Sequence, residues 1–120
     1  LTGCEDRNRA RQWYGDGVAT GAAGVDSLGS VDATTAFTIG NYPGAAEPAL
    51  GDYDDVTVWA SELSGSNLAD LVSGTSVASD YTGLVGWWRF DEGSGTTAAD
   101  LSGRANDLGL SGVGWVVDCM

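Results

Sequence analysis

The sequence predicts an all-β fold: short antiparallel strands joined by tight turns, with one short helix. Three observations carry this. Nineteen of the 120 residues are Gly, Lys is absent, and Gln and Met are scarce, a composition that favours strands and turns over helix. Apolar and polar residues alternate along residues 53–59 and again along 84–90, the period of two expected of a strand. Turn formers, Asp16-Gly17 and Asn41-Tyr42-Pro43-Gly44, sit between the candidate strands.

The length fits one domain, residues 1–120, and 42% hydrophobic residues including five Trp provide apolar surface for a single core. Residues 1–12 are polar, with Arg7, Arg9 and Arg11 alternating, and read as an extended or irregular solvated arm. Gln12 to Ala19 sets Trp13 and Tyr14 before Asp16-Gly17, a hairpin signal with those last two residues as the turn. Residues 20–34 have little periodicity and read as a loop with at most a weak edge strand. Ala36 to Gly40 alternates over a strand's length, and a loop rich in Ala, Pro and Gly then runs to Leu50.

From Gly51 to Trp59, a strand would place Tyr53, Asp55, Thr57 and Trp59 on one face and Asp54, Val56 and Val58 on the other, with Val56 and Val58 facing the core. Ser64 is positioned to cap a helix through Leu71, on which Leu68, Leu71 and Val72 share a face. Residues 73–83 are a Ser/Thr/Gly linker. In Leu84 to Phe90, the set Leu84, Gly86, Trp88 and Phe90 opposes Val85, Trp87 and Arg89, and one aromatic face is expected to be buried. Residues 91–100 form a turn-rich loop, Asp100-Leu101-Ser102-Gly103 a further turn, and Gly114 to Asp118 a final strand.

Seventeen acidic residues against five Arg give a formal charge of −12, which repels nucleic acid and anionic membrane surfaces. Such acidity suits cation binding or a salt-rich environment, and plain solubility explains it more simply. No run approaches the ~20 apolar residues of a membrane helix, so no membrane span is expected. His is absent, which removes imidazole zinc sites and the Ser-His or Cys-His pairs of nucleophilic catalysis. Cys4 and Cys119 lie near the two ends, and a disulfide between them would close nearly the whole chain and restrict its unfolded ensemble. That pairing points to an oxidising compartment, extracellular or at the cell surface. Leu1-Thr2-Gly3-Cys4 also matches the pattern at which bacterial lipoproteins are cleaved and lipidated, which would make Cys4 an anchor instead.

Two motifs resemble the laminin-G-like, concanavalin A-like jelly roll. Leu84-Val85-Gly86-Trp87-Trp88-Arg89-Phe90-Asp91-Glu92-Gly93-Ser94-Gly95-Thr96-Thr97, with Asp100-Leu101-Ser102-Gly103-Arg104-Ala105-Asn106-Asp107, is similar to the opening strand and loop of that family. Phe37-Thr38-Ile39-Gly40-Asn41-Tyr42, followed by Gly51-Asp52-Tyr53-Asp54-Asp55-Val56-Thr57-Val58-Trp59 and Leu63-Ser64, is similar to its closing strands and last helical turn. Trp13 through Ala19 is similar to the hairpin that precedes them. Residues 1–72 thus resemble the family's C-terminal half and 84–120 its start, the reverse of the usual order and without the central strands.

The resemblance implies an antiparallel β-sandwich in which first and last strands lie side by side, so residues 36–59 and 84–90 could pair within one chain. Such a sandwich would be permuted, a junction of tandem domains, or completed by a neighbouring copy. An incomplete sandwich exposes strand edges, and these are templates for homo-oligomer formation by strand pairing.

The resemblance also implies a calcium ion near the loop rim, with Asp91, Asp100 and Asn106 as the matching oxygen donors. Turn capping by the same side chains is the competing reading. Asp54 and Asp55 invite a glycosidase-like carboxylate pair, but neighbouring strand residues point to opposite faces. The family's hydrolases carry spaced Glu pairs that this sequence lacks. Recognition of a carbohydrate or an extracellular protein, without catalysis, is therefore the expected activity. A self-assembling structural subunit and an accessory domain of a carbohydrate-active enzyme are the alternatives. Trp59 and Trp88 are expected in the core, and Trp87 and Tyr42 are the aromatic residues expected on the surface for ligand stacking.

Overall fold

The computed structural model describes residues 9–26, 36–40 and 49–116. Strands paired in small antiparallel ladders, with one α-helix, make up its regular structure. The chain divides into two compact units, Leu1–Leu50 and Gly51–Met120.

In the first unit, β1 (Arg9–Gly15) pairs antiparallel with β2 (Val18–Asp26). Asp16 and Gly17 have φ of 50° and 76°, the left-handed pair that matches a two-residue hairpin to strand twist. The ladder runs from Gly15 opposite Val18 to Arg9 opposite Asp26, with a shift in register between Arg11 and Trp13. Gly21, on the facing stretch of β2, takes φ of 71° there. The arm therefore turns into strand at Arg9, and the loop expected from residue 20 onward is strand as far as Asp26. Backbone pairing with β1 supplies what the Gly- and Ala-rich composition does not advertise, because β propensity reports packing more than backbone preference.

Residues 36–40 do not form the expected strand: 36–38 have no regular structure, 39–40 bend, and the Phe37 side chain is 57% exposed. Their alternation marks two faces but does not provide the neighbouring strand that makes a ladder. The Ala49 N–H donates to the Gly40 carbonyl at 2.7 Å.

In the second unit, β3 (Val56–Trp59) pairs antiparallel with β4 (Leu84–Trp88), so the two motifs separated by 24 residues of sequence lie side by side. Val56 faces Trp88, Thr57 faces Trp87 and Val58 faces Gly86, with a shift before Trp59 meets Leu84. The strand expected from residue 51 begins only at Val56, since Asp55 sits at φ of 46°. All four β3 residues are half-buried, so Val56 and Val58 are not a distinct core face.

The β4 alternation is realised: Leu84, Gly86 and Trp88 are buried, while Val85 and Trp87 are half-buried. Trp88, 3% exposed, lies with Leu84, Ala78 and Ala98 among the buried hydrophobic residues. Gly86 is required beside it, because a Cβ at that position would overlap the Trp88 indole. Strand β4 ends where Phe90 turns to φ of 58°.

Helix α1 (Gly65–Ser73) starts as expected at Ser64, whose Oγ accepts the Asn67 N–H at 3.2 Å. It runs two residues beyond Leu71 and is closed by Gly74 at φ of 73°. Leu68 and Leu71 are half-buried, but Val72 is 59% exposed and does not share their cover.

The segment after α1 contains a 3₁₀ turn, Ala78–Asp80, with Ala78 buried and the Asp80 carboxylate accepting the Val77 N–H. Trp59, half-buried, stacks edge-on against Tyr81 at 6.3 Å between centroids. Beyond the turn-rich loop, β5 (Thr97–Ala98) pairs with β6 (Leu108–Gly109). The final strand expected from Gly114 is not formed over 114–116, and its last two residues lie outside those described. Trp115 instead donates its indole N–H to the Gly95 carbonyl at 2.9 Å.

Candidate functional site

The most densely connected polar feature among the described residues is the turn at 100–107 laid along the outer edge of β4. Its centre is the Asp100 carboxylate. Oδ1 accepts the main-chain N–H of Trp87 at 2.9 Å and of Ser102 at 2.8 Å. Oδ2 accepts the Ser102 hydroxyl at 2.7 Å and the main-chain N–H of Asn106 at 2.9 Å. The Asp-x-Ser spacing is why this turn forms locally: an Asp side chain readily caps the amide two residues on.

Around that centre the turn is stitched to β4. The Leu101 N–H donates to the Trp87 carbonyl at 2.8 Å, so both main-chain groups of Trp87 are taken by the turn. The Val85 carbonyl accepts from Asn106 Nδ2 at 2.9 Å and lies 3.0 Å from the Ser102 hydroxyl. That hydroxyl carries one proton, and the shorter, charged Asp100 oxygen is the stronger acceptor. The buried Trp88 indole donates to the Asn106 carbonyl at 2.9 Å. Two further carboxylates brace the approach: Asp107 accepts the Asp100 N–H and Glu92 the Ala99 N–H.

These contacts set the Asp100 carboxyl below its ordinary value. Partial burial is the largest single influence and pushes the value up, but the four donors together outweigh it.

A second cluster lies where β3 begins and β4 ends. The Trp87 indole N–H donates to Asp55 Oδ1 at 3.0 Å. Arg89 bridges two carboxylates, 3.6 Å from Asp55 and 2.9 Å from Asp91, and its guanidinium carbon stands 6.0 Å from the Trp87 ring centre. These groups are about half exposed, so each ion pair contributes at most about 1 kcal/mol. An open cleft of about 360 Å³ adjoins them, lined by Arg89, Asp91, Glu92, Ala99 and Leu101.

The structure thus brings Asp100 and Asn106 together and turns Asp91 towards Arg89. Asp100 caps the turn through the Ser102 and Asn106 amides, the Asn106 side chain donates to the Val85 carbonyl, and Asp91 makes an ion pair. Both Asp100 oxygens face N–H and O–H donors, and Asp91 pairs with the Arg89 guanidinium. Among the described residues no three His, Cys, Asp or Glu side chains form a group able to hold a metal ion.

Trp87 is half-buried, not exposed. Tyr42, Cys4 and Cys119 lie outside the described residues, as does the Leu1 to Cys4 motif. Asp54 and Asp55 precede β3, so strand alternation does not separate them; Asp55 is instead engaged by Trp87 and Arg89. Sequence reasoning missed Ser102, Glu92 and Asp107, although the Asp-x-Ser turn signal pointed at the first.

Comparison with protein-family models, with curated proteins and with solved structures finds no match for this chain. Among the described residues no helix is long and apolar enough to cross a membrane.

Proposed function

We propose that this chain is a non-enzymatic extracellular recognition module on a laminin-G-like sandwich plan, engaging a protein or a carbohydrate. The observation that supports the reading is the antiparallel pairing of β3 with β4, which lays Val56–Trp59 beside Leu84–Trp88. Around that pairing the carboxylates serve structure: Asp100, Asp107 and Glu92 accept main-chain amides, and Asp55 an indole. The surface next to them, with Trp87, Arg89 and Asp91, has the aromatic and charged character of a recognition surface.

Binding to a panel of glycans and extracellular matrix proteins tests this, with Arg89→Ala as the matched variant. Saturable binding weakened by the substitution is expected; hydrolysis of a glycan, or no binding at all, would overturn the reading.

A second reading, a self-assembling subunit whose sandwich is completed by neighbours, draws on a different observation. The buried hydrophobic set of the described residues is small, while Leu50, Val113 and Val116 are 96%, 66% and 60% exposed. Native mass in solution separates the two: a monomer supports the recognition module and regular oligomers the subunit.

A further inference from the structure

The two edges of the β3–β4 ribbon are not equivalent. On β4 three outward-facing main-chain groups are occupied: the Trp87 N–H by Asp100, the Trp87 carbonyl by Leu101, and the Val85 carbonyl by Asn106. The turn at 100–107 therefore closes that edge to strand addition. Thr57 stands opposite Trp87. Since both main-chain groups of Trp87 point away from β3, Thr57 and Trp87 form a pair that exchanges no ladder hydrogen bonds. The N–H and carbonyl of Thr57 accordingly point away from β4, and among the described residues no strand lies beyond β3 to receive them.

Among the described residues, the chain on either side of β3 is acidic. Asp52, Asp54 and Asp55 precede β3 and Glu62 follows it, and all four are exposed. Arg89, the cation nearest in the ladder, is already committed to Asp55 and Asp91. A second copy of a chain with formal charge −12 would be repelled, whereas a segment with basic residues flanking a β-branched centre would be attracted and held in register.

We propose that the outer edge of β3, which no strand among the described residues covers, is a strand-addition site for an extended, basic peptide segment, paired through Thr57. This rests on the recognition reading and narrows its partner to a protein segment. Main-chain hydrogen bonds to Thr57 would supply affinity, and the acidic residues at both ends of β3 would select the partner's charge.

The test uses the 120-residue chain and two synthetic peptides, Lys-Val-Thr-Val-Thr-Lys and the same peptide with Glu in place of Lys, titrated at low salt. The basic peptide is expected to bind at least about tenfold more tightly than the acidic one, with slowed hydrogen exchange at the Thr57 amide. Combined Asp52→Lys and Asp54→Lys changes should reduce that preference several-fold, and Thr57→Pro, tolerable on a strand edge, should abolish binding. Equal binding of the two peptides, no binding of either, or binding that leaves Thr57 exchange unchanged would overturn the proposal. So would self-association that protects Thr57. If the peptides fail while a glycan or matrix protein binds elsewhere, the recognition reading stands and only the β3 edge is lost.

Discussion

The main-chain N–H of Trp87 donates to Asp100 Oδ1 at 2.9 Å, across 13 residues of sequence. One carboxylate thereby fastens the turn at 100–107 to the outer edge of β4 and satisfies three main-chain amides and a hydroxyl at once. Removing it leaves those donors without their acceptor. Asp100→Ala is expected to lower stability by about 2–3 kcal/mol, and Asp100→Asn, which loses the charge and brings an NH₂ that faces N–H groups, by about 1–2 kcal/mol. Urea denaturation followed by Trp fluorescence measures both, and unchanged midpoints would show that the clasp contributes nothing.

The same carboxylate makes the clasp sensitive to acid. Partial burial raises its proton affinity most of any single influence, but the donors from Asn106, Ser102 and Trp87 together bring it below the ordinary value. A carboxylate depressed in the folded state contributes stability that is fully present above its unfolded value, ~3.9, and is lost as pH falls through the folded value. The contribution should therefore be constant at neutral pH and decline only below about pH 4. Urea midpoints of wild type and Asp100→Asn, compared as pH is lowered, should converge; a constant gap would exclude Asp100 as the titrating group.

Gly86 and Trp88 share the buried face of β4, and a Cβ at residue 86 would sit 2.8 Å from Trp88 Cζ2 and 2.9 Å from Cζ3. Gly86→Ala should cost about 1–3 kcal/mol by forcing the indole out of place. A shift in near-ultraviolet circular dichroism should accompany the loss. An Ala variant as stable as wild type would mean that the ring has room to move.

Ser64 caps α1 through the Asn67 N–H. Ser64→Ala should lower stability by about 1 kcal/mol, and Ser64→Asp should restore most of it, since both Ser and Asp accept from the first-turn amides. Thermal unfolding of the three proteins provides the comparison.

What was legible in the sequence is what depends on near neighbours. Asp16-Gly17 formed its hairpin turn, Ser64 its cap, and Leu84, Gly86 and Trp88 their buried face, because turn chemistry, capping and strand pleat act within a few residues. The Asp100 turn was visible for the same reason. The resemblance allowed residues 36–59 and 84–90 to pair, and among the described residues Val56–Trp59 and Leu84–Trp88 do so.

Tertiary pairing decided the rest. Residues 20–26 became strand because β1 lies beside them, residues 36–40 did not despite their alternation, and the strand before Trp59 shortened to Val56 because Asp55 adopts a left-handed conformation. The role of Asp100 followed the same logic: its sequence announces a turn, but only the arrival of β4 alongside turned a local cap into a clasp on Trp87. A strand, or the edge of one, is a relation between two segments, and its hydrogen bonds exist only once distant residues have been brought together.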